Sequence, residues 1–395
     1  MMESEKNGSV WSLLFILVLC INSLNSIAVY MLNPIMSEFI VSKGIAFEYT
    51  GMISGLLSWI ALFFTPFAGM ASDRVNKKKM LLASYTLFTL CMFLYLRADN
   101  LFLMFGVRFL HGVAFAVTST LSLAFASDFV APDRIAEGLA YLSLGQLIGS
   151  MFGPQIGSTI YDLASGNAVF LFAGIASLIS VLIILILPYK PRETEKKRFV
   201  RVRFRDLYAA ELTVYMILIG IFSFGNGIIS YYLKSMGTQR SIPNIALFFT
   251  LNSLAMLLFK PFSSRLHDRK GIGYILYPAF LINAAAMVIL ARAYTLIPVL
   301  AASVLKALGQ GCGSPAIQAE SVKMLGRKRA GVAVSTCLIG MNIGQALGPM
   351  VGVQIISAYG YAAVFYSTAV LLVIAEVIYI IYHSYMKKHP LPAAE

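Results

Sequence analysis

Charged side chains are scarce in this chain. Only 12% of its 395 residues are Asp, Glu, Lys or Arg, while 58% are hydrophobic and the mean hydropathy is +0.78. Soluble domains carry about 25% charged and about 45–50% apolar residues. The composition excludes a soluble globular enzyme, a disordered chain and a collagen-like fibre, and it argues against a nucleic-acid-binding domain. Cysteine is scarce too. Cys20, Cys91, Cys312 and Cys337 lie in apolar stretches with no CxxC spacing. They read as small hydrophobes, neither a metal-ligand set nor a disulfide framework. There is no GxxxxGK[ST] phosphate loop, no HExxH and no GxSxG. ATP-driven transport, zinc hydrolysis and serine-hydrolase chemistry therefore have no carrier, and no enzyme activity, cofactor or metal is expected. Acidic residues are missing from the first apolar run and from deep within the first half.

What the chain has is long apolar runs. A membrane-spanning helix needs about 20 mostly apolar residues. Runs of that kind fall at 10–33, 49–71, 80–97, 101–126, 136–161 and 167–188, then at 210–233, 242–264, 272–292, 295–322, 330–357 and 362–385. The start mixes Glu3, Glu5 and Lys6 ahead of a run too long for a signal-peptide core, so no cleaved signal is expected. The net charge of +13 follows the positive-inside rule. Of the 31 Lys and Arg, 23 fall on the side that holds both termini, five on the other (Lys43, Arg97, Lys234, Arg240, Arg292) and three within spans (Arg108, Lys260, Lys306). This bias places both termini in the cytoplasm. The expectation is an all-α membrane protein of twelve spans, multi-pass in the cell membrane and monomeric. Residues 1–189 and 210–395 would form its two six-helix halves, joined by a basic cytoplasmic linker over 190–209.

The halves repeat one another. Pro66 to Arg74 (PFAGMASDR) matches Pro261 to Arg269 (PFSSRLHDR), and Gly145 to Gly157 (GQLIGSMFGPQIG) matches Gly340 to Gly352 (GMNIGQALGPMVG), both at an offset of 195. Parallel repeats of this kind are related by an axis along the membrane normal, with the binding site near the midplane.

These residues resemble the major facilitator superfamily over nearly the whole chain. Gly69 to Lys78 (GMASDRVNKK) looks like its signature between the second and third helices, with Asn76 where the family has Gly. Arg108 to Gly112 (RFLHG) resembles its fourth-helix motif. The run ending Gly153-Pro154-Gln-Ile-Gly157 resembles the fifth-helix motif of its drug:proton antiporter branch. The resemblance implies the two-half, twelve-helix fold and a cytoplasmic latch, here Gly69, Asp73, Arg74, Asp128 and the repeat mates Asp268 and Arg269. Arg74 is expected to pair with a carboxylate such as Asp128. Lys77, Lys78 and Lys79 are accounted for by orientation alone.

Gly145, Gly149, Gly153 and Gly157 recur every four residues, as do Gly340, Gly344, Gly348 and Gly352. Each set lines one helix face and lets a neighbouring backbone come close. Pro154 and Pro349 each remove a helical hydrogen bond. This predicts a packing seam, while Gly166 is predicted to lie in an outer loop.

Buried charge marks the candidate pathway. A charge at a helix centre costs at least about 2.5–3.5 kcal/mol, so Arg108, Lys306 and Glu376 are expected to face a wet interior. His111 lies near Arg108; Lys306 lies one turn from Ser303, the repeat mate of Arg108. Asn22, Asn25, Asn226 and Gln310 are candidate polar walls, with Gln146, Asn342 and Gln345 as further donors. Candidate proton carriers are Glu376, Glu320, Asp128 and Glu38. The reading is secondary transport by alternating access, with protons as the coupling ion: efflux of a small organic molecule in exchange for protons. Open alternatives are symport uptake of an organic anion or sugar, lipid flipping, and a receptor without flux.

Overall fold

The computed structural model describes residues 11–72, 75–131, 134–189 and 207–388. The first half holds α1 (Leu13–Leu32), α2 (Met36–Ser42), α3 (Glu48–Ser72), α4 (Lys77–Tyr95), α5 (Leu101–Ala126), α6 (Ile135–Leu163) and α7 (Gly166–Ile186). The second holds α8 (Thr213–Gln239), α9 (Leu247–Lys270), α10 (Gly273–Arg292), α11 (Leu296–Leu325) and the run Ala330–Lys388. Gly360 divides that run in two. Its φ of 81° lies outside the helical region, where only Gly is free of a Cβ clash. We call the parts α12 (330–359) and α13 (361–388). Twelve long helices result, with α2 a short extra one that the apolar runs do not announce. Among the described residues, nine helical runs are apolar and long enough to cross a bilayer, α12 with α13 counting as one. The exceptions are α4, whose first turn is three lysines, and α6, which is rich in Gly and Ser.

Side-chain caps set several helix starts. Ser12, Asn76, Asn100 and Ser165 each accept a hydrogen bond from the backbone N–H three residues on, at 2.8–3.2 Å, satisfying one of the free donors of a first turn. Asn76, the departure from the signature, is thus the N-cap of α4. Helix ends receive cations. Lys43 donates to the Leu96 carbonyl at 2.9 Å, and Arg240 donates to the Leu290, Ala291 and Ala293 carbonyls at 2.6–3.1 Å. Leu96 and Ala291 are 195 residues apart, so the two halves share this device. Basic groups at a helix C-terminus satisfy free carbonyls and oppose its partial negative charge.

Two placements differ from the sequence expectation. Lys234, assigned to an outer loop, lies inside α8 and is 5% exposed; α8 runs a turn and a half past the predicted end. Gly166 is the first residue of α7, and a Cβ there would stand 2.6 Å from the Phe39 ring, so it is not a permissive loop position.

The chain divides into two compact units. Unit 1 comprises Met1–Ala46 and Leu56–Val200; unit 2 comprises Phe47–Gly55 and Arg201–Glu395. In unit 1, α6 lies on α1 along its glycines. A Cβ on Gly149 would overlap Ser26, one on Gly157 would overlap the Met31 carbonyl oxygen, and one on Gly153 would reach the Ile27 carbonyl at 3.0 Å. In unit 2, Cβ atoms on Gly340, Gly344 and Gly348 would overlap the carbonyl oxygens of Met216, Gly220 and Phe224 on α8. Gly352, whose added Cβ would meet Ile228 at 3.2 Å, is the least crowded of that set. Because the obstacle is mostly backbone, it has no rotamer by which to yield. We expect Gly149→Leu to cost about 1–3 kcal/mol or more as an overpacked contact. Gly106→Leu, with nothing within 4 Å of an added Cβ, should match wild type in abundance and thermal midpoint. Equal midpoints for both variants would refute backbone contact along α6.

Candidate functional site

Unit 2 carries a partly buried polar line across three helices. Lys306 of α11, 5% exposed, donates from Nζ to Asn226 Oδ1 of α8 at 3.0 Å. Asn226 Nδ2 donates in turn to Gln345 Oε1 of α12 at 3.1 Å. Helical spacing extends the line along α11, because residues four apart share a face. Gln310 and Ser314 follow Lys306 at that interval, and Gln310 Oε1 and Ser314 Oγ are both buried without a hydrogen-bond partner. Among the described residues no carboxylate pairs with Lys306. The line is therefore a positive charge and neutral amides aimed at one face, with acceptor and donor capacity left over.

Unit 1 buries Arg108 and His111 on α5, at 1% and 2% exposure. His111 Nδ1 lies 3.2 Å from the Tyr95 hydroxyl, and the ring stands edge-on to Phe88 with centroids 5.0 Å apart. His111 Nε2 has no hydrogen-bond partner. On α1, Asn22 donates to the Leu142 carbonyl of α6 at 3.0 Å, whereas Asn25 Oδ1 is buried with no partner. The two asparagines share a face, but Asn22 spends its amide nitrogen on joining helices and Asn25 keeps an open acceptor.

Glu376 sits near the middle of α13, 7% exposed, with Oε2 unpartnered. Glu320 of α11 meets His267 Nε2 of α9 at 3.1 Å and Lys323 at 3.9 Å.

The latch residues Asp73 and Arg74 lie outside the described residues. Gly69 accepts a hydrogen bond from Ser72 Oγ at 2.6 Å. Asp128, just past α5, is held by Lys77 at 2.8 Å and by the Tyr189 hydroxyl at 2.9 Å. Lys77 thus has a carboxylate partner that charge bias did not assign to it. Burial and the Asp128 carboxylate raise the Tyr189 hydroxyl above its ordinary pKa, so it stays a donor. Lys78 donates to the Leu185 and Leu187 carbonyls at 2.9 and 2.7 Å. The repeat mates do not copy this cluster. Asp268 is 80% exposed and lies 3.7 Å from His267 Nδ1, and Arg269 is exposed on the last turn of α9. Lys323 occupies the position equivalent to Asp128, which reverses the charge.

One further groove is apolar. Phe259, Phe262, Tyr274, Pro278 and Leu308 line about 220 Å³ with Cys312 at its wall. None of the predicted site residues borders it. Among the described residues no three His, Cys, Asp or Glu side chains gather as a metal site would require.

Twelve long helices among the described residues, most of them apolar, in two repeated halves with interior cations and amides, fit a multi-pass membrane transporter of small molecules. The sequence profile of the Major Facilitator Superfamily matches residues 18–293 and 215–395, and the chain belongs to that superfamily. It is a transporter family and not an enzyme family. The chain is 24% identical over 362 residues to the multi-drug resistance efflux pump PmrA of Streptococcus pneumoniae, covering 88% of this chain and 90% of the pump. It is 26% identical over 375 residues to the multidrug resistance protein MdtG of Serratia proteamaculans, covering 90% of each. Among solved structures, a bacterial homologue of the human lysosomal transporter Spinster superposes with a TM-score of 0.80, at 14% identity, over 96% of this chain and 98% of that one. That likeness is one of fold.

Proposed function

We propose that the protein exports a small organic molecule by alternating access, in exchange for protons. The observation that carries efflux is the likeness to two multidrug resistance proteins along 88–90% of this chain. The Gly-Pro run from Gly145 to Gly157 supports antiport, being the sequence feature that resembles the antiporter branch. In this reading Lys306, Asn226, Gln310 and Gln345 bind cargo in the second half, and Arg108 and Asn25 line the path in the first. A buried ammonium with no protein carboxylate beside it favours cargo with an acidic group, anionic or zwitterionic. The halves 1–189 and 210–395, the linker 190–209, cytoplasmic termini and a monomer in the plasma membrane complete the proposal; the charge bias supports the orientation.

The test is accumulation of a compound panel in inverted membrane vesicles with and without an imposed pH gradient. Gradient-dependent accumulation supports export by proton exchange. Accumulation only in right-side-out vesicles supports the second reading, uptake of an organic anion by symport, which the interior cations favour.

Asp73 is proposed as a latch, since an acid adds nothing to orientation by charge bias. Asp73→Asn should insert at normal abundance and slow transport, because it weakens one end state selectively. A wild-type rate at normal abundance would sink the latch.

A further inference from the structure

The middle of α13 holds a carboxyl that neither the cargo line nor the latch uses. Glu376 is 93% buried by its 7% exposure, and its Oε2 has no hydrogen-bond partner. Among the described residues no Lys or Arg forms an ion pair with it. A charged carboxylate so placed is expensive, and a proton removes that cost. The helix period then matters. Residues 376, 379 and 383 fall on one face, at i, i+3 and i+7, and run from midspan to the C-terminal end of α13. Along that face the Tyr379 hydroxyl stands 3.5 Å from His383 Nδ1. Tyr277 of α10 closes the stripe, with ring centroids 5.0 Å from Tyr379 and 5.9 Å from His383. The groups that face this stripe are few. Tyr379 is within electrostatic reach of Tyr277, Glu376, Tyr382 and Glu320 of α11, and Tyr215 of α8 packs edge-on to Tyr382 at 5.5 Å. Glu320 is itself engaged by His267.

We propose that Glu376 binds the coupling proton and that Tyr379 and His383 conduct it to the end of α13 that the charge bias assigns to the cytoplasm. This rests on the proton-exchange reading and names its carrier. The step balances without any outside reagent. Glu376 makes no direct hydrogen bond to Tyr379, so it gives its proton to a bridging water, which passes one to Tyr379 Oη while Tyr379 passes its own to His383 Nδ1, and His383 releases the proton on Nε2 to water. Tyr379 ends as it began, a neutral hydroxyl, Glu376 ends as a carboxylate ready for the next proton, and His383, left as its Nδ1–H tautomer, returns to the Nε2–H form by proton exchange with water. Glu376 is the proton-binding residue here; Tyr379 and His383 are conducting residues. The location also fits the chain's oddity, the lack of any acid within the first span, because the carrier then lies in the second half.

The test needs no cargo for its first arm. Infrared difference spectra of the full chain in lipid, taken across a pH titration, should show a protonated-carboxyl C=O band that bleaches as pH rises. Glu376→Gln should lose that band. Glu376→Asp should keep one at a shifted frequency, which guards against a Gln variant that fails to fold. Tyr379→Phe should keep the band but slow proton release after a pH jump at least 10-fold. An unchanged band in Glu376→Gln, or a wild-type release rate in Tyr379→Phe, overturns the proposal. The second arm separates it from the reading beneath it. Wild-type cargo flux that ignores a pH gradient overturns proton exchange itself. Flux that follows the gradient equally in wild type and Glu376→Gln overturns only the role of Glu376.

Discussion

Lys306→Met is expected to abolish high-affinity transport of acidic cargo while leaving the protein folded. Met matches the length of the lysine stem and removes an ammonium that is only 5% exposed. Removal relieves the cost of a buried, unpaired charge. It also strands Asn226 Oδ1, which now accepts from Lys306 at 3.0 Å; because Asn226 is partly buried, the cost falls toward the lower end of the about 1–3 kcal/mol for a buried acceptor left unmade. A hydrogen bond to a charged group contributes about 1.5–3 kcal/mol. Losing it from the cargo complex should therefore raise KM for an anionic or zwitterionic substrate by about 10- to 150-fold. Neutral and cationic compounds should be affected far less. Lys306→Arg keeps the charge and should retain part of the affinity. The check is KM against cargo charge in inverted vesicles. Equal KM shifts for anionic and cationic compounds would remove Lys306 from the cargo site.

The second large effect belongs to Arg108. Its guanidinium is permanently charged, so it cannot shuttle a proton at physiological pH. It either binds an anionic group of the cargo or favours the charged form of a nearby acid. Arg108→Lys separates these roles. Lys keeps the charge and loses the planar fork, so cargo held by two parallel hydrogen bonds should bind more weakly, with KM rising and the pH profile fixed. An electrostatic role should instead leave KM near wild type and shift the pH optimum. Arg108→Ala should abolish coupled transport under either role, since it removes from a site only 1% exposed the guanidinium that both roles require. A wild-type rate and pH optimum in Arg108→Ala would reduce Arg108 to a packing residue.

The physics of a bilayer explains what the sequence discloses. Apolar runs mark spans because every backbone group must be bonded within the segment, and so all twelve long helices are legible. Their ends are less so. The run over 330–388 stays helical through the predicted loop until Gly360 turns it, and α8 continues past Leu233 to Gln239 with Lys234 buried inside the fold instead of facing water. The short α2 leaves no signal, as seven residues are too few for a period. The glycine seam is legible because only a missing Cβ admits a carbonyl oxygen so close, as at Gly344 against Gly220. Buried charge announces Lys306, Arg108 and Glu376 for a similar reason, since its cost demands a use. Partners are a different matter. That Lys306 meets Asn226, 80 residues away, or that Lys77 and Tyr189 share Asp128, depends on helix azimuths that no local pattern encodes. Gln345 joins the site only because α12 turns it toward Asn226. The stripe from Glu376 to His383 was open to a helical-period reading, yet tyrosine in a membrane helix is too common to single out.

The account turns on proton exchange, and proton movement itself is the direct measurement. Purified protein is reconstituted into sealed liposomes that hold a pH-sensitive dye, and a zwitterionic dye such as rhodamine B is placed on one side as cargo, with no pH gradient imposed. Exchange predicts that protons leave the compartment the cargo enters, so the lumen turns alkaline as cargo flows in, and that Glu376→Gln silences the signal. Cargo entering with protons in the same direction, or with no proton movement at all, would contradict it.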